Sequence, residues 1–459
     1  MAPVALIAAG ALGWSIYHYA YDHFAQAAAD QKPPKPVNIN DVLKATVTAL
    51  TLVGAVLAGL YAYRKQLLAE GDAHRADASQ LAERYTTAAE QLGHDQAAVR
   101  LAGVYALARL ADDWAEQRQV CIDVLCAYLR MPYEPDPTGP GHKAGEREVR
   151  QTIIRVIRDH LQEPDAATTW CMHDFNFTGA VFDGGNFATS HFRGAVSFSG
   201  AIFGGGTLSF RRATFSGGTV TFDRATFSGG TVDFDQAMFS GGTVAFDRAT
   251  FSDGIVTFIQ ATFSGSTITF DRATFSSGIV TFIQATFSGG TITFDRATFS
   301  GGIVTFIQAT FSGGTITFNR GTFSGGTVTF NQATFSGSTI TFNRARFSGG
   351  TITFDRATFS DGTVDFTHAT FSGGTITFDR ATFSDGTVDF THATFSGGTI
   401  TFDHATFSDG TVDFTHATFS GGTVDFTGAT PSGGTVDFTR ATFSGTVFRW
   451  GSLPVPVGA

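Results

Sequence analysis

The sequence predicts an α+β multidomain chain: apolar N-terminal helices, then an α-helical domain, then a long parallel β-solenoid. Three observations predict it. From Phe215 to Phe443 the sequence repeats every twelve residues in the unit A-T-F-S-G-G-T-V/I-x-F-x-x, as in Ala213 to Arg224. A short fixed period is the mark of one small unit stacked on itself around a continuous core. Ala45–Tyr63 runs nineteen residues without a charge, enough to cross a bilayer. Between these, residues 64–168 are rich in helix formers with apolar positions at helical spacing. The 459 residues divide as a two-helix membrane anchor (1–63), an α-helical domain (64–168), a β-solenoid (171–450) and a tail (451–459).

Ala45–Tyr63 stops at Arg64-Lys65, with Tyr61 and Tyr63 at the expected interface. The alternative is a buried helix of a soluble domain. Ala2–Tyr21 is also uncharged, but it carries His18 and ends in Tyr17, Tyr19 and Tyr21. It could serve as a signal sequence, although it lacks the basic start such peptides use. Together the two segments predict a membrane hairpin joined by the stiff spacer Lys32-Pro-Pro-Lys-Pro36. Lys32, Lys35 and Lys44 precede the second segment and Arg64, Lys65 and Arg75 follow it, so the positive-inside count ties. Without a disulfide framework or an export signal, the helical domain and solenoid are expected in the cytoplasm, at the cell membrane.

In the middle region, Ala97–Asp113, Arg118–Arg130 and Glu148–Leu161 read as amphipathic helices, interrupted by the Pro-rich break at 132–140. Three stretches carry a resemblance: Arg84 to Gly93, Ala98 to Leu107, and Cys121 to Tyr133. With the preceding span they resemble the helical module before the repeats in a group of uncharacterised bacterial pentapeptide-repeat membrane proteins. That resemblance implies no reaction. The Ala-Val-Arg-Leu segments also look HEAT-like, which implies a protein-binding surface.

The solenoid opens with Phe177, Phe182, Phe187 and Phe192, five residues apart. This spacing, as in Ala180 to Gly184, resembles the pentapeptide-repeat family. The family implies a right-handed quadrilateral parallel β-helix, with the central Phe and the small residue two before it facing inward. From Phe215 the spacing alternates fives and sevens. In the longer half, strand alternation puts Val220 and Phe222 inward and Thr219 and Thr221 outward. Ser216-Gly217-Gly218 supplies a corner where glycine tolerates positive φ; Ala213 and Phe215 complete the interior. Neighbouring units alternate in type, Phe258-Ile-Gln260 against Phe270-Asp-Arg272, for a true period of 24. A four-sided turn of 5+7+5+7 residues fits that period, as does duplication of a 24-residue segment. Arg344 and Arg356 are only twelve apart, so the side-chain ladders should change face there. About twelve turns are expected over 171–450, roughly 55–60 Å long at one strand spacing per turn. The helical domain can cap the first open edge, and Pro431, Trp450, Pro454 and Pro456 should close the last.

The composition narrows function. Phe (48) and Gly (54) suit a narrow interior of stacked rings with glycine at the corners. Net charge is −10 and no basic run occurs, so nucleic acid is not an expected partner. Cys121, Cys126 and Cys171 make no CxxC pair and no Cys/His zinc pattern. No P-loop or dinucleotide fingerprint is present, the repeated Gly-Gly-Thr being corner chemistry. Neither metal nor cofactor is expected. Near-identical repeats also argue against an enzyme, since catalysis needs distinctive residues converging once.

Outward positions must carry any function. Ile255, Ile259, Ile279, Ile283, Ile303 and Ile307 recur on three alternate units and form a candidate apolar interface. Asp365, Asp389 and Asp413 lead an acidic stripe that includes Asp361, Asp385, Asp409, Asp425 and Asp437. His368, His392 and His416 form a third stripe, read as solvated surface. The leading expectation is a non-enzymatic, membrane-anchored scaffold holding a protein partner, with self-association a further option. Some pentapeptide-repeat proteins, notably the fluoroquinolone-resistance group, mimic DNA and bind type II topoisomerases, so resemblance keeps that alternative open. A passive structural spacer is the third.

Overall fold

A computed structural model describes residues 2–30, 32–33 and 35–455, with side chains described except at 2–6 and 69–78. Pro34 of the expected spacer, Pro456 of the expected terminator and the side chain of Arg75 lie outside the described residues. The chain forms two compact units, Met1–Glu83 and Arg84–Ala459.

The first unit holds α1 (Ala2–Ala29) and the opening of α2 (Ile39–Leu92). The two helices touch where Gly13 lies beside Leu50, and Val42 and Thr46 are buried. Among the described residues one stretch, Ile39–Leu68, is long and apolar enough to cross a membrane. Its Val47, Leu52, Val56, Leu57 and Leu60 are exposed. The expected pair of spans is therefore reduced to one candidate. Ala2–Tyr21 is helical, but Trp14, Tyr17, His18, Tyr19 and Tyr21 make it less apolar. Arg64-Lys65 ends the charge-free run, and the helix formers expected after it continue the same helix. Arg and Lys are good helix formers and no proline follows, so α2 continues to Leu92.

In the second unit α3 (Ala97–Asp113), a short 3-10 turn, α4 (Arg118–Arg130) and α5 (Glu146–Asp159) follow. Val104, Leu107, Leu110, Ile122, Leu125, Ile153 and Ile157 are their shared, fully buried core. The β-solenoid then begins at Phe175. It is right-handed, with about eleven turns and about 24 residues in each. The wall strands run from Phe175 to Arg449.

A turn has four walls, shown by Thr214–Ser216, Thr219–Thr221, Thr226–Phe227 and Thr231–Asp233. After the opening turn the wall strands pair in parallel with their copies 24 residues on, as Phe215 with Phe239 and Val220 with Val244. The opening turn is tighter: Phe182 pairs with Phe203, 21 residues on. Inside run four columns of phenylalanine. Phe222 stacks on Phe246 at 4.7 Å and 6°, Phe227 on Phe251 at 4.7 Å and 2°. Phe234 stacks on Phe258 at 4.9 Å and 5°, Phe215 on Phe239 at 4.9 Å and 4°. Each buried ring contributes about 1.5–3 kcal/mol, and the parallel hydrogen bonds between turns satisfy the backbone around it.

The helices close the first edge. Gln119 acts as a one-residue strand: its Nε2 donates to the Asp174 carbonyl at 2.9 Å and its Oε1 accepts the Asp174 N–H at 3.1 Å. Arg150 donates to the Val181 carbonyl at 3.1 Å and Gln151 to that of Gly184 at 3.1 Å. Ile154 of α5 packs onto the first turn at Gly185, where a Cβ would sit 2.9 Å from its Cδ1. The other end is less covered. Pro431, paired with Phe407, is exposed, and the terminator is Trp450 stacked on Phe448 at 4.5 Å.

Candidate functional site

The corners decide which side chains stand out. At Phe222-Asp223-Arg224-Ala225 the Ala225 N–H donates to the Phe222 carbonyl at 3.0 Å, and Arg224 takes φ 58°. Positive φ at the third residue is the type II turn pattern, which usually calls for glycine. Here Arg, Gln or His occupies it, at a cost of about 1–3 kcal/mol each. The conformation is held by the next turn, whose Asp247 carbonyl accepts the Arg224 N–H at 2.8 Å. Sequence reasoning missed this, because no glycine marks the position; its signal was the invariant two-residue gap between Phe and Ala.

Two corner columns result, at diagonally opposite edges of the turn. One runs Arg224, Arg248, Arg272, Arg296, Arg320, Arg344 and continues as His368, His392 and His416. The imidazoles stack at 5.0 and 4.8 Å. The other is a glutamine ladder from Gln236 to Gln332, each Nε2 donating to the next Oε1 at 2.9–3.1 Å. It continues as Arg356, Arg380 and His404. Arginine thus changes corner between Arg344 and Arg356, as the slip in period predicts.

The isoleucines lie in register. Ile255, Ile279 and Ile303 pair as strand neighbours, and Ile259, Ile283 and Ile307 stand beside the glutamine ladder. Between the two columns Thr281 and Thr305 are buried, their hydroxyls without a partner. Three turns of this wall cover on the order of 150 Å² from strand spacing and rise.

The acids do not form one stripe. Asp365, Asp389 and Asp413 are strand neighbours, and each Oδ1 accepts the N–H two residues on at 2.7 Å. Asp361, Asp385 and Asp409 instead occupy positive-φ corners, and Asp425 pairs with Arg449 at 2.9 Å. A single column repeats at about 4.8 Å, far sparser than the one charge per about 1.7 Å of duplex DNA. Beside the arginine column, Asp223 and Asp271 have raised pKa values, chiefly because burial disfavours their charge.

The helical domain holds a cavity of about 620 Å³ between Leu92, Val124, Met131 and the buried pair Arg100–Glu146, 3.3 Å apart. Tyr128 donates to Glu146 at 2.8 Å; its pKa is raised by burial and by that carboxylate. Among the described residues no group of three or more His, Cys, Asp or Glu converges to hold a metal.

No curated protein matches the chain. A solved structure of trypsin-treated QnrB1, a plasmid-mediated fluoroquinolone resistance protein, aligns at 16% identity over 50% of this chain and 86% of that one. Its TM-score is 0.13, too low for the likeness to say anything about this chain's partner. The family described as Pentapeptide repeats matches in nine copies, with residues 177–219, 354–400 and 378–430 matched. The tube is therefore a solenoid of pentapeptide repeats, with one face in two lengthened to seven residues.

Proposed function

We propose that the chain is a non-catalytic scaffold, tethered to a membrane by Ile39–Leu68, that docks a protein partner on its isoleucine wall. The observation carrying this reading is the wall itself: Ile255, Ile279 and Ile303 in strand register with Ile259, Ile283 and Ile307 recurring at the same 24-residue interval beside them, five of the six half-buried and Ile303 exposed. The wall is about a fifth of the roughly 800 Å² one partner contributes to a standard interface. A partner must therefore also contact the adjacent glutamine ladder, whose amides are exposed.

The tether is supported by the exposed apolar side chains of α2, which water leaves uncovered and lipid would cover. Two measurements test the reading. Full-length protein should sediment with membranes and resist carbonate extraction; a soluble full-length chain would sink the tether. A photo-crosslinker at Ile283 should capture a discrete partner whose yield falls at least tenfold in the Ile279→Asp variant. An unchanged crosslinking pattern would refute the wall as the docking face.

A further inference from the structure

The cavity of about 620 Å³ in the helical domain is large enough to hold a small organic molecule. Its walls are apolar: Leu92 at the end of α2, Val124 and Ala127 on α4, and Met131 and Pro132 just beyond it. Polar side chains converge at one place, where Arg100 of α3 meets Tyr128 of α4 and Glu146 of α5. Each of the three is more than nine-tenths buried. An apolar chamber with a few fixed polar groups is the usual build of a small-molecule site.

Arg100 is the group left incomplete. Its Nη1 donates to the His94 carbonyl at 3.0 Å and to that of Asp95 at 2.6 Å, which fixes the guanidinium before any ligand arrives. Its Nη2 lies 3.3 Å from Glu146 Oε2, but that oxygen already accepts the Tyr128 hydroxyl at 2.8 Å. Among the described residues neither Nε nor Nη2 makes a hydrogen bond. A buried donor without an acceptor is costly, so a ligand that supplies one gains affinity. The charge of that ligand follows from the lining. Arg100 and Lys143 are matched by Asp95 and Glu146, which leaves no charge over. A carboxylate head would set a second anion beside Glu146 around one guanidinium, whereas a carbonyl oxygen accepts from Arg100 and adds no charge.

We propose that this cavity binds a small, uncharged, largely apolar molecule through one carbonyl oxygen set against Arg100. The body of the molecule covers the apolar surface of Leu92, Val124 and Met131. The site goes beyond the scaffold reading and shares no residue with the isoleucine wall.

The test uses full-length protein in nanodiscs, with the signal of empty nanodiscs subtracted. Three probes share one ring system: acetonaphthone carries an uncharged carbonyl, naphthoate a carboxylate, and naphthalene neither. Acetonaphthone should bind saturably in ligand-detected NMR, at least tenfold more tightly than the other two. The double variant Arg100→Met, Glu146→Gln removes both buried charges together, so neither is stranded. In it acetonaphthone should fall to the affinity of naphthalene, which itself should change less than twofold. Ala127→Phe, which fills the chamber from α4, should abolish binding of all three probes while the helical circular dichroism is kept. Should the double variant fail to fold, the probe series and Ala127→Phe decide the matter by themselves. Naphthoate binding as tightly as acetonaphthone would overturn the uncharged class. Naphthalene doing so, or an unchanged acetonaphthone affinity in the folded double variant, would overturn the role of Arg100. Acetonaphthone binding that is not saturable, or that survives Ala127→Phe, would overturn the site.

Discussion

Replacing Phe270 with alanine is expected to destabilise the solenoid locally by about 5 kcal/mol. The ring is fully buried, with Phe246 at 4.8 Å on one side and Phe294 at 4.7 Å on the other. Phe282 meets it edge-on at 6.4 Å and 89°. Removing a buried phenylalanine costs about 3–5 kcal/mol, and each stacked pair adds about 0.5–1.5 kcal/mol beyond area. The upper part of this range applies because the walls cannot collapse into the gap. Phe270 N–H is held by the Thr293 carbonyl at 2.7 Å, and Phe246 N–H by Thr269 at 2.6 Å. Stability in a stacked array is a sum of unit and nearest-neighbour terms, so the loss should stay near the lesion. Hydrogen exchange on the full-length protein in nanodiscs should show Thr269, Phe270 and Thr293 amides losing protection while turns beyond Phe342 keep theirs. Phe443→Ala, at a half-buried ring near the open end, should cost about 1–2 kcal/mol. Equal losses at the two sites, or a loss below about 1 kcal/mol at Phe270, would refute the stacked-column account.

Three further outcomes are expected. Asp271→Asn should raise stability at neutral pH by about 0.5 kcal/mol, the scale of a partly screened charge. The folded state holds the Asp271 proton more tightly than the unfolded chain does, so ionisation weakens the fold. The gain should therefore vanish below the ordinary carboxyl range near pH 4, as paired denaturation curves would show. Burial pushes the Cys121 thiol up to about 11 and that of Cys126 up to about 12. Neither should be alkylated at pH 8 until denaturant opens the helical domain, which mass spectrometry reads directly. Gly242→Ala should cost about 1–3 kcal/mol in thermal unfolding, because φ is 77° and a Cβ would sit 2.2 Å from the Gly218 carbonyl oxygen.

The interior of the solenoid was legible because one spacing and one residue type define it. Phe every five or seven residues, with Val220 or Ala213 two positions before, leaves little choice of facing. The corners at Arg224 and Gln236 were not legible. Their left-handed backbone depends on hydrogen bonds from the next turn, which no local pattern announces. The surface was legible only in part. Isoleucine register follows from the period, but the engagement of Asp365 and Asp271 by backbone N–H groups does not. It is these bonds that turn a formal row of negative charge into fixed turn caps and leave the arginines outermost. At the other end of the chain, Arg64-Lys65 marks the end of the charge-free run, and the helix formers legible after it carry α2 on to Leu92.

Turns that are near-copies of one another create a counting problem during folding. A chain wound one coil out of step would still find phenylalanine against phenylalanine and threonine against threonine, so the repeats alone do not say where winding begins. The junction at Gln119, Arg150 and Ile154 occurs once, against the tighter opening turn. It therefore acts as the starting thread from which later coils inherit their position, and damage there should scatter the ensemble among shifted windings even though every repeat is intact.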